Sequence, residues 1–256
     1  MTDFGVSSPY VAEMKGVILS ICATANIVDL THAVPAQDVI AGAFLWKQAT
    51  MTFPPGAIHV AVVDPGVGSE RPIVAARCSG SIFIAPDNGL LGLIVESVPP
   101  DLIIELDDPA FWRETVSATF HGRDIMAPVA AHLNQGVAME ELGSPCPDVK
   151  PISLPRVVAS SNSCTAVVLW IDGFGNVITN IRKSDLPPEF VDDSLSFRCG
   201  NVLVGRVVSH YAAAPAGELV ALIGSAGMLE LSVVGGSAGE RLKASQGDSL
   251  ELSWQT

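Results

Sequence analysis

A chain of 256 residues that is 48% hydrophobic has core material for one large domain or two smaller ones. Only 6% of it is aromatic, so that core is mostly aliphatic. The 27 acidic against 14 basic side chains, a net charge of −13, exclude a phosphate-backbone binder and allow a cationic or neutral small molecule. The five cysteines are scattered without C-x-x-C spacing and read as reduced thiols of a cytoplasmic protein. No stretch reads as a signal peptide, and no apolar run is long enough for a membrane span.

Thr2-Asp3-Phe4-Gly5 looks like the end of a strand and a turn, with only Met1 before it. Either the chain begins at the turn or a strand precedes it. Val11, Met14, Ile18 and Ile21 recur at helical spacing and predict a helix from Pro9 to about Ser20. Asn26–Leu30 reads as a short strand ending in Thr31-His32, and Gln37 to about Thr50 as a second helix. Ile58–Val63 reads as a buried strand. Pro65-Gly66-Val67-Gly68 then turns the chain so that Arg71 can fold back onto Asp64 at the strand tip. For that segment alone, a capped turn with a surface ion pair reads equally well. Strands are predicted at Ile73–Ala76, Ser81–Ala85 and Leu102–Ile104, and helices at Leu90–Val95 and Ile125–Leu133.

Repeated strand, turn and helix predict an α/β fold: a largely parallel sheet flanked by helices over residues 1–150. Turns after Val28, Val63, Ala85 and Phe120 each carry Asp, His, Arg or Asn, which on one sheet edge would make a site. Asp124 reads first as the cap of the following helix. A metal site from Asp64, His121, Asp124 and His32 is opposed by Arg71 beside Asp64, so no metal is expected. Residues 151–163 form a Pro- and Ser-rich linker. From 164 to 256 the period changes to 2. The hairpin signal Asp172-Gly173-Phe174-Gly175-Asn176, and strands at about Leu195–Phe197, Val202–Val208, Leu219–Ile223, Leu229–Val233 and Ser249–Trp254, predict a smaller antiparallel β-barrel. There is no P-loop, Rossmann fingerprint, H-E-x-x-H or G-x-S-x-G.

Six ordered motifs, TDFG (Thr2–Gly5), VVDPGVGSER (Val62–Arg71), APDNGLL (Ala85–Leu91), TFHGRDIMAPVAAHL (Thr119–Leu133), DGFGNVITNI (Asp172–Ile181) and GSAGMLELS (Gly224–Ser232), resemble the S-adenosyl-L-methionine hydroxide adenosyltransferase family, related to the adenosyl fluorinases and chlorinases. The resemblance implies a homotrimer with active sites between subunits. It implies hydrolysis of S-adenosyl-L-methionine by water to adenosine and L-methionine, without a cofactor. It implies Asp64, Arg71 and His121 as the catalytic set, which the halogenating relatives do not keep intact. Asp3 is implied at the ribose, Asn176 and Phe174 at adenine, and Asp172 and Ser225 at the methionine ammonium and carboxylate, with Tyr10 also binding substrate. Two positions depart from the family pattern: Ser8 stands where an Asp is usual, and Ala226 where the fluorinase has an Arg. A halide-using adenosyltransferase and a non-catalytic binding module remain the alternative readings.

Overall fold

The computed structural model describes residues 1–160, 163–186, 197–204 and 206–254, which divide into two compact units, Met1–Ser153 and Leu154–Thr256. The first holds helices α1 (Tyr10–Ile21), α2 (Val39–Thr50), α3 (Gly92–Ser97) and α4 (Ala127–Asn134) around strands β1 (Ile58–Val60), β2 (Ile73–Cys78), β3 (Ser81–Pro86), β4 (Leu102–Glu105) and β5 (Ser144–Pro145). α2 begins where the sequence provides a cap: the Asp38 carboxylate accepts the Ala41 N–H at 2.9 Å. Helices cover both faces. Met14 of α1 and Val129 of α4 share a core with Ile73, Ala75, Ile84 and Ile104. On the other face Trp46 of α2 packs edge-on to Phe83 at 5.6 Å. That double cover explains why β2 is apolar at nearly every position instead of alternating.

The α/β class holds, but the expected parallel pairing does not. The strand order is β1-β3-β2-β4-β5, and only β1–β3 is parallel; β2–β3, β2–β4 and β4–β5 are antiparallel. The reason is local. Ser79 and Gly80 have φ of 48° and 77° and close a two-residue hairpin between β2 and β3. A parallel return needs a crossover of a dozen or more residues, which two residues cannot supply.

Asn26–Leu30 is also not a strand. Among the described residues, no backbone hydrogen bond joins it to another segment. Met1-Thr2 runs between Val60–Val62 and Thr31, with the Met1 ammonium on the Val60 carbonyl at 2.8 Å and Thr2 N–H on the Thr31 carbonyl at 3.1 Å. Alongside, a cavity of ≈ 330 Å³ separates Asn26–Leu30 from β1, so the predicted strand has no neighbour to pair with. His59 lines this cavity stacked on Phe83 at 4.7 Å. Burial, aided by the Met1 ammonium, pushes its pKa down to about 4, so it is a neutral core ring.

The second unit holds β6 (Val158–Ala159), β7 (Ser163–Ile171), β8 (Val177–Arg182), β9 (Phe197–Cys199), β10 (Val202–Val204), β11 (Arg206–Val207), β12 (Leu219–Ile223), β13 (Met228–Val233), helix α5 (Ala238–Leu242) and β14 (Ser249–Trp254). The order β10-β9-β14-β7-β8-β13-β12-β11 is antiparallel except at β11–β12. Val204 and Val207, from its two end strands, share one core with Ala166, Val177, Leu229 and Leu252, so the sheet curls into a nearly closed barrel. Of the predicted strands, Leu195-Ser196 and Gly205 lie outside the described residues. No described helix is long and apolar enough to cross a membrane.

Gly92 opens α3 against Ile152, where a Cβ would lie 2.5 Å from the Ile152 nitrogen and 2.7 Å from its Cγ2. Gly92→Ala is expected to lower the melting temperature by several degrees, through about 1–3 kcal/mol of overpacking. Calorimetry checks this, and an unchanged transition would mean that the 150–153 segment yields freely.

Candidate active site

Asp64 follows the last buried residue of the strand run, Val63. Asn88 braces that point: its Nδ2 donates to the Val63 carbonyl at 2.8 Å while its Oδ1 accepts the Leu90 N–H at 3.1 Å. The chain then turns, with Ser69 N–H and Oγ both donating to the Gly66 carbonyl at 3.1 and 2.7 Å. Gly68 has φ 82°, and a Cβ there would collide with the Ala118 carbonyl. Glycine therefore lets this turn lie against the loop that leads to His121.

The turn returns Arg71 to Asp64. Arg71 Nε donates to Asp64 Oδ1 at 2.6 Å and Nη2 donates to Oδ2, a two-pronged pair between side chains only 9% and 4% exposed. The surface ion pair that the sequence allowed is thereby excluded. Nη2 also donates to His121 Nδ1 at 3.2 Å. A guanidinium has donors only, so Nδ1 must carry a lone pair and the ring proton sits on Nε2. Burial and the Arg71 charge lower the His121 pKa, outweighing Asp64 and Asp124, so the ring is neutral at pH 7.

His121 heads a π-helical turn, Gly122–Met126, that runs directly into α4. Asp124 within it does not cap the helix as expected. It is fully buried and accepts from Arg123 Nε at 2.7 Å, Arg113 Nη1 at 2.9 Å and Ser117 N–H at 2.9 Å. Burial alone would raise its pKa, but these donors hold it at about 2. Asp124 thus closes the 113–124 loop around one buried charge. Phe120, beside His121, meets Phe4 and Tyr10 edge-on at 5.5 and 5.3 Å, and Phe4 meets Tyr10 at 5.7 Å. The TDFG turn and the start of α1 are thereby held against the His121 loop. Asp3 lies beside Val62 and accepts the Gln37 N–H at 2.8 Å. Asp3, Tyr10, Asp64, Arg71 and His121 therefore gather at one end of the first unit. His32 instead bonds Thr2 and Asp29, each at 3.0 Å. Among the described residues, no cluster of three or more His, Cys, Asp or Glu has metal-binding geometry.

In the second unit, Asp172 organises its own hairpin. Oδ1 accepts the Phe174 and Asn176 N–H groups and Oδ2 accepts Asn176 Nδ2, all at 2.9 Å. Asn176 is buried, whereas Phe174 is 82% exposed on the hairpin tip. Ser225 is exposed in the turn Gly224–Gly227 that joins β12 to β13. Sequence reasoning flagged the turns that hold Asn88 and Arg123 without assigning these residues a supporting role, and missed Phe120 and Arg113. The run Phe120-His121-Gly122-Arg123-Asp124 was the signal for Phe120 and Arg123.

Residues 1–143 match the SAM hydroxide adenosyltransferase N-terminal domain, and residues 166–251 match its C-terminal domain. The chain belongs to the SAM hydroxide adenosyltransferase family. It is 36% identical over 98% of its length, and 95% of the relative's, to the (R)-S-adenosyl-L-methionine hydrolase of Salinispora arenicola. A fluorinase of Nocardia brasiliensis is 30% identical but covers only 73% of the chain and 71% of its own length. A crystal structure of an uncharacterised conserved protein from Thermotoga maritima superposes with a TM-score of 0.89 at 33% identity, covering 98% of each chain. The hydrolase likeness thus spans both adenosyltransferase domains, and the fluorinase likeness covers less of the chain.

If the Arg71-bound, neutral His121 is the working form, turnover is level through neutral pH and falls on an acid limb below the ordinary imidazole value of 6.5. The sign follows from the lowered pKa: acid protonates Nδ1, which then cannot accept from Arg71. A pH–rate profile checks this, and His121→Asn should lose both rate and limb.

Proposed function

We propose that the chain hydrolyses S-adenosyl-L-methionine by attack of water at the ribose 5′ carbon, giving adenosine and L-methionine. The observation that carries this is the hydrogen-bonded series Asp64–Arg71–His121 in a chain that matches both adenosyltransferase domains. The sulfonium leaves as a neutral thioether, so no acid is needed. A water oxygen forms the bond to the 5′ carbon, and the carbon–sulfur bond breaks with its electron pair going to sulfur. Each Asp64 oxygen has one lone pair engaged by Arg71 and another left to accept a water proton, which passes on to solvent. The Nε2–H of His121 donates to the water oxygen and leaves one of its lone pairs for attack. On this reading the imidazole orders the water and does not deprotonate it. Asp64 is held in place by Arg71, and orientation of the water in a dry pocket supplies most of the acceleration. Asp3 holds the ribose, Asn176 and Phe174 the adenine, and Asp172 and Ser225 the methionine end, with Tyr10 at the substrate's edge.

The test uses the (R) and (S) sulfonium epimers, because the Salinispora arenicola relative is named for (R). Each is incubated in ¹⁸O-water with and without chloride, and the products are separated. Adenosine labelled at its 5′ oxygen, plus methionine, is expected. 5′-Chloro-5′-deoxyadenosine, or binding without turnover, would overturn the proposal. Asp64→Ala and His121→Ala should cost on the order of 10²–10⁴-fold in single-turnover rate at little cost in affinity, and Asn176→Ala the reverse.

The unit of function in this proposal is a homotrimer, with each site drawing on two subunits, and its location is the cytoplasm. The five cysteines, all free thiols, support the latter. Co-expressing Asp64→Ala with Asn176→Ala should restore part of the activity through mixed assemblies. Recovery no better than the sum of the two variants, or a monomer by light scattering, would count against shared sites.

A further inference from the structure

Glu230 is absent from the machinery so far, yet it is the one acidic side chain buried in the second unit among the described residues, at 7% exposure. It lies in β13 opposite Ile178 of β8 and Leu222 of β12. Its neighbours Leu229 and Leu231 point into the barrel core, so alternation turns Glu230 to the other face. Asn176, two positions before Ile178, lies on that same outer face, because Val177 points into the core.

One of its oxygens is fully engaged: Oε1 accepts from the Tyr211 hydroxyl at 2.6 Å and the Ser232 hydroxyl at 2.8 Å. The other is not. Among the described residues, Oε2 has no hydrogen-bond donor, and no Lys, Arg or His stands within ion-pair distance of the carboxylate. Oε2 is aimed at the Gly224-Ser225 turn, so closely that a Cβ on Gly224 would lie 2.5 Å from it. Glycine at 224 leaves that oxygen uncovered. Tyr211 stands under the influence of both Glu230 and Asp172; burial first, then the bond to Glu230, raises its pKa to about 12 and keeps it a donor. The uncovered oxygen keeps its lone pairs for a donor from outside the chain, and a cationic N–H group would make the stronger, charge-assisted bond there.

We propose that Glu230 is a substrate-binding residue whose free oxygen receives the α-ammonium of the methionine moiety, beside Asp172 and the Ser225 turn. This rests on the reading of the chain as a hydrolase of S-adenosyl-L-methionine. Tyr211 and Ser232 fix the orientation of Glu230, and Gly224 keeps its path open.

The test compares S-adenosyl-L-methionine with its analogue lacking the amino group, in the wild type and in Glu230→Gln. The amide keeps the shape and can still accept from Tyr211. In the variant, kcat/KM for S-adenosyl-L-methionine should fall about 10- to 100-fold, while that for the des-amino analogue and the affinity for adenosine stay unchanged. An equal loss on both substrates, or no loss on either, would overturn the role of Glu230 alone. A wild type that turns over neither substrate would overturn the functional reading and this inference with it. Circular dichroism checks the fold. If Glu230→Gln does not fold, Glu230→Asp, which withdraws the charge by one methylene, is expected to lose the same discrimination in part, and undiminished discrimination there would overturn the role.

Discussion

The arrangement at the end of the first unit depends on one guanidinium. Arg71 faces Asp64 with two donors and shares one of them with His121, so a single cation fixes a carboxylate and a ring at once. Lysine could not replace it, because a point charge has no planar fork with which to fix both partners. The same cation decides which nitrogen of His121 carries the proton. Geometry and protonation state are thus set by one side chain that need not touch a reacting atom.

Arg71 could not do this if either partner were free to move. Asp64 is fixed by the strand end and by Asn88 behind it. His121 is fixed from three directions: the Gly68 turn lies on the Ala118 carbonyl, Gly122 packs on Val62 and Met14, and Asp124 draws the loop inward with two arginines. The buried Asp124 is costly in isolation, and its value is in forcing one loop conformation. The aromatic contacts of Phe4, Tyr10 and Phe120 add a side wall.

How much of this was legible depends on the range of the interaction. Asp64 and Arg71 were readable because a Gly-rich turn follows an apolar run, a local signal. His121 beside them was a matter of resemblance, since no spacing rule links residues fifty positions apart. The largely parallel sheet was misjudged because Ser79-Gly80 was not weighed as a hairpin turn, although two residues dictate the direction of the strand that follows. Asn26–Leu30 has strand composition but no partner, and composition does not report pairing. Asp124 looked like a cap because the residue type suits one; only packing shows four donors from three residues converging on it. Glu230 alternates with Ser232 in an otherwise apolar strand, where alternate polar residues read as solvent-facing, and Tyr211, which covers it, lies 19 residues away.

The π-turn Gly122–Met126 carries a consequence of its own. A π-turn is an α-helix with one residue too many, held in place by whatever the surplus residue provides. Removing one residue would let the segment relax into regular α-helix continuous with α4. Everything before the deletion would then swing by about 100° around the helix axis. His121 would leave the Arg71 side, although every side chain in the set was still present. The site is therefore encoded in a count of residues as much as in their identities. A homologue could keep Asp, Arg and His in perfect alignment and still lack the constellation, if its helix had one residue fewer.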